Sequence, residues 1–208
     1  MTINDIKKAT LALMFANYAD DLRDENVDEF TDPQYTKYTV NMDASINRAL
    51  ARIEAARVLP LASVTLTSEN GTGDSWRRRW NLSSLASDFM AVSRVIREGA
   101  WGYESSVHYE MEGNTVVLPF LAEDEDYRVL YHRRVARIAL AAPSSTVVDV
   151  PDYVADIIPY WVKADLYEED EANMAVAARN TFEQMLAALT PADGNGQGGV
   201  KDVFSGVV

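Results

Sequence analysis

The chain has 208 residues, 48% of them apolar, and carries 32 Asp and Glu against 19 Lys and Arg for a net charge of −13, so it has ample material for a packed core. That acidic excess disfavours general attraction to nucleic acid or anionic membrane, and any phosphate contact has to be local. The lack of cysteine excludes disulfides, thiolate metal sites and a cysteine nucleophile, and is consistent with a reducing cytoplasm.

The opening MTINDIKKATLALMFANYADD sets two lysines before a short apolar run, a faint imitation of a secretory leader. Asp5 and the lysines interrupt Ile3, Ile6, Leu13 and Phe15, so the segment reads as a short amphipathic helix. No stretch approaches the roughly 18 to 20 apolar residues of a membrane span. Residues 19–32 hold seven acids and one arginine and read as a solvated loop. Over residues 35–58 Met42, Ile46, Ala49, Leu50, Ile53 and Arg57 recur at helical spacing, and Pro60 is expected to end that helix.

From 61 to about 140 the period falls to two. LASVTLT alternates Ala62, Val64 and Leu66 against Ser63 and Thr65, and ENGTGD supplies turn chemistry. SWRRRWNL, FMAVSRVIREG and YRVLYHRRVARIAL read as strands, and VHYEMEGNTVVLPF reads as a hairpin about Glu112, Gly113 and Asn114. Five or six strands on short loops favour an antiparallel sheet or small barrel. Helical spacing returns at Pro151 and Asp152, a good helix opening, and lasts to about 189. Val154, Ile157, Ile158, Trp161, Val162 and Leu166 form its apolar face, and Pro159 is expected to bend or locally distort it near Ala155. The tail, 190–208, is glycine-rich and reads as a flexible arm ending in Phe204, Val207 and Val208.

The reading is therefore α+β: a bundle of three to four helices (1–60 and 150–190) with an antiparallel β insertion (61–140). Residues 75–138 hold nine arginines and nine acids, so the whole net charge lies outside the strand-rich segment.

No pattern carries a catalytic or metal signature. The EEDE run at 168–171 lacks the alternating oxygen ligands of a calcium loop, and consecutive helical residues point about 100° apart. Its acids fit the first turn of the last helix, where they complement the dipole. His108 and His132 both fall in expected strands, no serine sits in a G-x-S-x-G elbow, and the glycines form neither a P-loop nor a dinucleotide fingerprint. Neither metal nor cofactor is expected. WRRRW at 76–80 and HRRVAR at 132–137 place Arg77, Arg78, Arg79, Arg133 and Arg134 as a basic surface. Such a surface suits carboxylates on a partner protein or, in a nucleic-acid-binding module, a phosphate backbone.

Several blocks in order, NMDASINRALARIEAARVLP, NLSSLASDFMAVSRV, YEMEGNTVVLP with YRVLYHRRVARI, and VPDYVADIIPYWVKADLYEEDEANMAVAARNTFEQML, resemble the head-tail connector (adaptor, head completion) proteins of tailed bacteriophages. The resemblance covers about residues 35 to 190, and its most specific part is the final helical pair with its D-L-Y-E-E-D-E corner. It implies a non-enzymatic virion protein at the head-tail junction, in the host cytoplasm before assembly. Such a protein forms a ring, commonly of twelve copies, between the portal protein and the next tail or adaptor protein. DNA passes through its lumen without sequence-specific binding, and no membrane is involved. A tail-completion protein with similar helices is the neighbouring alternative. Glu168 and Glu169, the five arginines and the apolar end of the arm are then the expected contacts with neighbouring copies or portal.

Overall fold

In the computed structural model, which describes residues 1–15, 26–30, 32–74, 76–98, 104–119, 126–139 and 142–189, helix α1 (Ile3–Met14) opens on a capping box. The Thr2 hydroxyl accepts from the Asp5 N–H while the Asp5 carboxylate accepts from the Thr2 N–H, which satisfies two otherwise orphaned donors. Ile3, Ile6 and Leu11 are buried, and so is Lys7, whose ammonium lies 3.0 Å from the Asp43 carboxylate. Helix α2 (Pro33–Ala56) carries Pro33 in its first turn and buries Met42, Ile46, Ala49, Leu50 and Ile53 along one face, the stripe expected from their spacing. It stops before Pro60, because Arg57 adopts a left-handed conformation (φ 55°) and cannot continue the spiral.

Two open four-stranded antiparallel sheets follow, with no closed barrel among the described residues. The strands are β1 (Ala62–Leu66), β2 (Thr72–Asp74), β3 (Arg77–Asn81), β4 (Phe89–Glu98), β5 (Glu104–Ser106), β6 (Glu110–Glu112), β7 (Thr115–Pro119) and β8 (Asp126–Arg133), with a helical turn α3 (Leu82–Leu85) between β3 and β4. The first sheet runs β1-β8-β4-β5 and the second β2-β3-β7-β6. The strands beyond the expected set, β2 and β5, are three residues long, too short to display an alternation. β6 and β7 pair Glu112 with Thr115 across Gly113 and Asn114, and Gly113 takes the positive φ (63°) that a tight hairpin needs. Leu66, Trp80, Leu82, Phe89, Val95, Val116, Leu118, Tyr127 and Val129 form one apolar cluster drawn from both sheets.

The last strand is shorter than its composition suggests. β8 leaves its sheet after Arg133, and Val135, Val148 and Val150 join the helical core instead. This return segment is held by side chains: Asn47 of α2 brackets Ile138, donating to its carbonyl at 3.0 Å and accepting from its N–H at 2.8 Å. Glu54 accepts the Val135 N–H at 2.8 Å and pairs with Arg137 at 3.2 Å. Further on, Thr146 and Ser144 carbonyls accept from the N–H groups of Ile3 and Asn4.

Of the bend or local distortion expected at Pro159, the structure shows a distortion after Ala155 that divides the closing helix. A single turn α4 (Asp152–Ala155) ends before α5 (Ile158–Tyr167), in which Pro159 occupies the first turn, where its missing N–H costs nothing. Helix α6 (Ala172–Leu189) packs back on α5. α5 is the hub of the body, touching α1, α2 and α6, and buries Ile158 and Val162 against a core that includes Ile6, Leu50, Phe182 and Leu186.

Candidate functional site

Helix α5 carries one carboxylate into this apolar surround. Asp165, 7% exposed, accepts from Ser45 Oγ at 2.7 Å and Arg48 Nε at 2.7 Å on α2, and from the Arg179 guanidinium at 2.6 Å on α6. Burial pushes its pKa upward, but the bonds from Ser45 and Arg48 and the charges of Arg48 and Arg179 outweigh it and hold the carboxyl below its ordinary range. The Arg179 guanidinium lies 3.8 Å from the centre of the Trp161 ring, which meets Phe182 edge-on at 5.0 Å. At the far side, Lys163 Nζ and the Tyr167 hydroxyl donate to the Leu13 and Met14 carbonyls, satisfying acceptors that the end of α1 leaves free. Three helices are thus tied to α5 by charge as well as by packing.

The acidic run begins where α5 ends. Glu168, Glu169 and Asp170 form the turn, and Glu171 is the residue from which α6 starts, its N–H donating to the Tyr167 carbonyl and its carbonyl accepting from Ala175 N–H. The acids therefore precede the last helix instead of occupying its first turn. They lie between the negative end of α5 and the positive end of α6, so the two dipoles act on them in opposite directions. Asp170 is held by the Tyr38 hydroxyl at 3.4 Å and Lys37 at 3.7 Å. Glu168 and Glu169 are exposed and have no partner among the described residues. They rim an open groove of about 550 Å³ whose opposite wall is Lys37, Tyr38, Asn41 and Arg48 of α2. On the other flank, Glu168 edges a shallower cavity of about 180 Å³ between α5 and α6, lined by Ala164, Ala175, Val176 and Arg179. Met174 and Val176 are exposed beside it. No three carboxylate or imidazole groups converge as a metal-binding set among the described residues.

The arginine strands are largely engaged at home. Arg77 and Arg79 project from the outer face of β3 across β7 to the glutamates of β6: Arg77 meets Glu110 at 2.9 Å and Glu112 at 3.0 Å, and Arg79 meets Glu112 at 3.2 Å. The Arg79 hydrogen bond and both arginine charges hold the Glu112 carboxyl below its usual range. Arg133 grips the return segment, donating to the Asp149 carboxylate at 2.7 Å and its carbonyl at 3.1 Å. Arg78 and Arg134 make no ion pair among the described residues; the Arg134 backbone N–H donates to the Asp88 carbonyl. Of the expected contacts, Glu168 and Glu169 come together with α2, while Arg77, Arg78 and Arg79 lie on β3 of the second sheet, Arg133 ends β8 of the first and Arg134 follows it. Phe204, Val207 and Val208 lie outside the described residues.

His132 lies in β8, whereas His108 is exposed between β5 and β6 rather than in a strand. Partial burial and then the charge of Arg57 push the His132 imidazole below its ordinary pKa. Asp165 is the organising residue that periodicity does not reveal; the available signal is a lone acid set between Ala164 and Leu166 in a helix whose only other charged residue is Lys163. Among the described residues no helix is long and apolar enough to cross a membrane. No protein-family model and no curated protein matches this sequence.

Proposed function

We propose that the chain is a structural virion protein, a head-tail adaptor that assembles as a ring between portal and tail and extends the DNA channel. One observation carries the reading. The closing block in which the connector resemblance is most specific forms a helix pair pinned on three sides through Asp165, Lys163 and Tyr167, and its corner presents Glu168 and Glu169 to solvent with no partner among the described residues. A corner whose backbone is held in place and which carries two exposed carboxylates is suited to a contact between subunits, since the helices that present them need no ordering on association.

A ring of this kind is heterologous: one surface of each copy meets a different surface of the next, and rotation closes the circle. The net charge of −13 opposes adhesion of duplex DNA to the lumen, which favours passage over retention. A nucleic-acid-binding module is the weaker reading, because Arg77, Arg79 and Arg133, which it would use, are already paired within the chain. The test is to mix the purified protein with the portal of the same virion and view the product by negative-stain electron microscopy. Rings stacked on portal are expected; absence of both binding and rings overturns the reading.

A further inference from the structure

Not all of the cations are satisfied internally among the described residues: Arg78 stays free on β3 of the second sheet, and three others lie on or beside the outer face of the first. In the β4-β8 pairing, Ala91 stands beside His132 and Arg94 beside Leu130, the bulge at Ser93 bringing both onto one face, while Val95 and Val129 turn to the core. Arg94 is exposed and has no partner among the described residues. Glu54 near the end of α2 accepts the Val135 N–H just past β8, which brings Arg57 to the end of the strand that carries His132; its charge acts on that imidazole, and it is exposed with no side-chain partner among the described residues. Arg134, equally unpaired, follows two residues after His132 where β8 ends. Among the described residues, three acids near the ends of these elements are committed elsewhere: Glu54 to Arg137 and the Val135 N–H, Asp88 to the Tyr131 hydroxyl, Asp149 to Arg133. Arg57 also holds a left-handed conformation that favours glycine, so a cation stands where the backbone alone asks for none.

We infer that this face, Arg57, Arg94 and Arg134 around His132, receives the Glu168–Glu169 corner of a second copy of the chain. The inference rests on the ring reading and deepens it by naming the two surfaces that meet. Among the described residues the chain carries three unpaired guanidinium groups on one surface and two unpaired carboxylates on another, and the fork geometry of arginine suits a carboxylate. A second copy is favoured over nucleic acid because the chain as a whole repels polyanions and three arginines make a small phosphate footprint. The WRRRW strand is thereby relieved of the role, its Arg77 and Arg79 being occupied by Glu110 and Glu112.

Two charge-reversed full-length chains test this, one with Arg94→Glu and Arg134→Glu, the other with Glu168→Lys and Glu169→Lys, each checked for native circular dichroism. By sedimentation velocity each alone is expected to self-associate about tenfold more weakly than the unaltered chain, and an equimolar mixture to recover association. Because the chain has no cysteine, Arg94→Cys and Glu169→Cys copies mixed under mild oxidation also report proximity directly. Heterodimer is expected well above that formed with a Ser68→Cys control. Assemblies that ignore both reversals, or a cysteine pair no better than the control, overturn this interface and leave the ring reading standing. An unaltered chain that stays monomeric at every concentration, alone and with portal, overturns both. Loss of low-salt duplex DNA retention in the arginine variant, with assembly unchanged, assigns the face to nucleic acid and also overturns the inference.

Discussion

The helical body and the two sheets use charge in opposite ways. In the body, ionic groups join elements distant in sequence; Lys7 with Asp43 between α1 and α2 and the Asp165 carboxylate with Arg48 and Arg179 across three helices are drawn inward, while Arg52 with Glu183 between α2 and α6 stays partly exposed. In the second sheet they stay on the exposed face and join strands of one sheet, as Arg77 and Arg79 do with Glu110 and Glu112. The same residue type therefore locks tertiary structure in one region and balances a surface in the other. Exposed pairs are screened by water and contribute little, whereas removing one member of a buried set leaves the others desolvated without compensation. An arginine-rich strand is thus poor evidence of a free basic surface, and an isolated aspartate in an apolar helix is good evidence of a structural hub.

Changes that should separate the two regions differ widely in size. Phe182→Ala removes the largest apolar side chain of α6, fully buried against Trp161; a loss of about 3–5 kcal/mol is expected in urea unfolding. If hydrogen exchange then accelerates in α1, α2 and α5 while the β7 amides stay protected, the two clusters unfold separately; uniform acceleration would show one cooperative unit. Asp165→Ala strands Ser45, Arg48 and Arg179, with an expected cost of about 2–3 kcal/mol. Asp165→Asn examines the same hub by pH. The folded carboxyl lies below its unfolded value, so its contribution is complete above about pH 4 and is lost as the pH falls through the folded pKa. The Asn variant should show a flatter loss of stability in acid, and an unchanged acid profile would remove Asp165 from that role.

In the sheets, a methyl on Gly71 would lie 2.6 Å from Trp80 Nε1, which itself donates to the Thr67 carbonyl at 2.8 Å. Gly71→Ala is expected to cost about 1–2 kcal/mol by overpacking, with its effect on tryptophan fluorescence rather than on helix content. Arg57→Gly should do the reverse and stabilise the monomer by about 0.5–1 kcal/mol in thermal unfolding, since glycine accepts the left-handed cap at no steric cost. Smallest of all, Arg77→Ala should leave the thermal midpoint where it is; a clear drop would show that the exposed network does more than balance charge.

Much was legible in residue order, because it depends on neighbours a few positions apart. The α2 stripe, the alternation of β1, the Gly113 hairpin and the helix pair after Pro151 all follow from period and turn chemistry. The acidic run was legible in part: it forms the corner between two packed helices that the helical signals on either side suggested, but Glu169, Asp170 and Glu171, expected in the first turn of α6, precede it. What the sequence by itself determined is the succession of helical and strand segments and the separation of an acidic body from a neutral, arginine-rich insertion. Only the tertiary structure decided that β8 breaks off at Arg133 to be clasped by Asn47 and Glu54, that Asp165 gathers three helices, and that Arg77, Arg79 and Arg133 are engaged while Arg57, Arg94 and Arg134 are not. The reason is physical: periodicity reports which face a side chain takes, whereas pairing depends on distances of a few ångströms between residues far apart in the chain, which the packing of the elements alone sets.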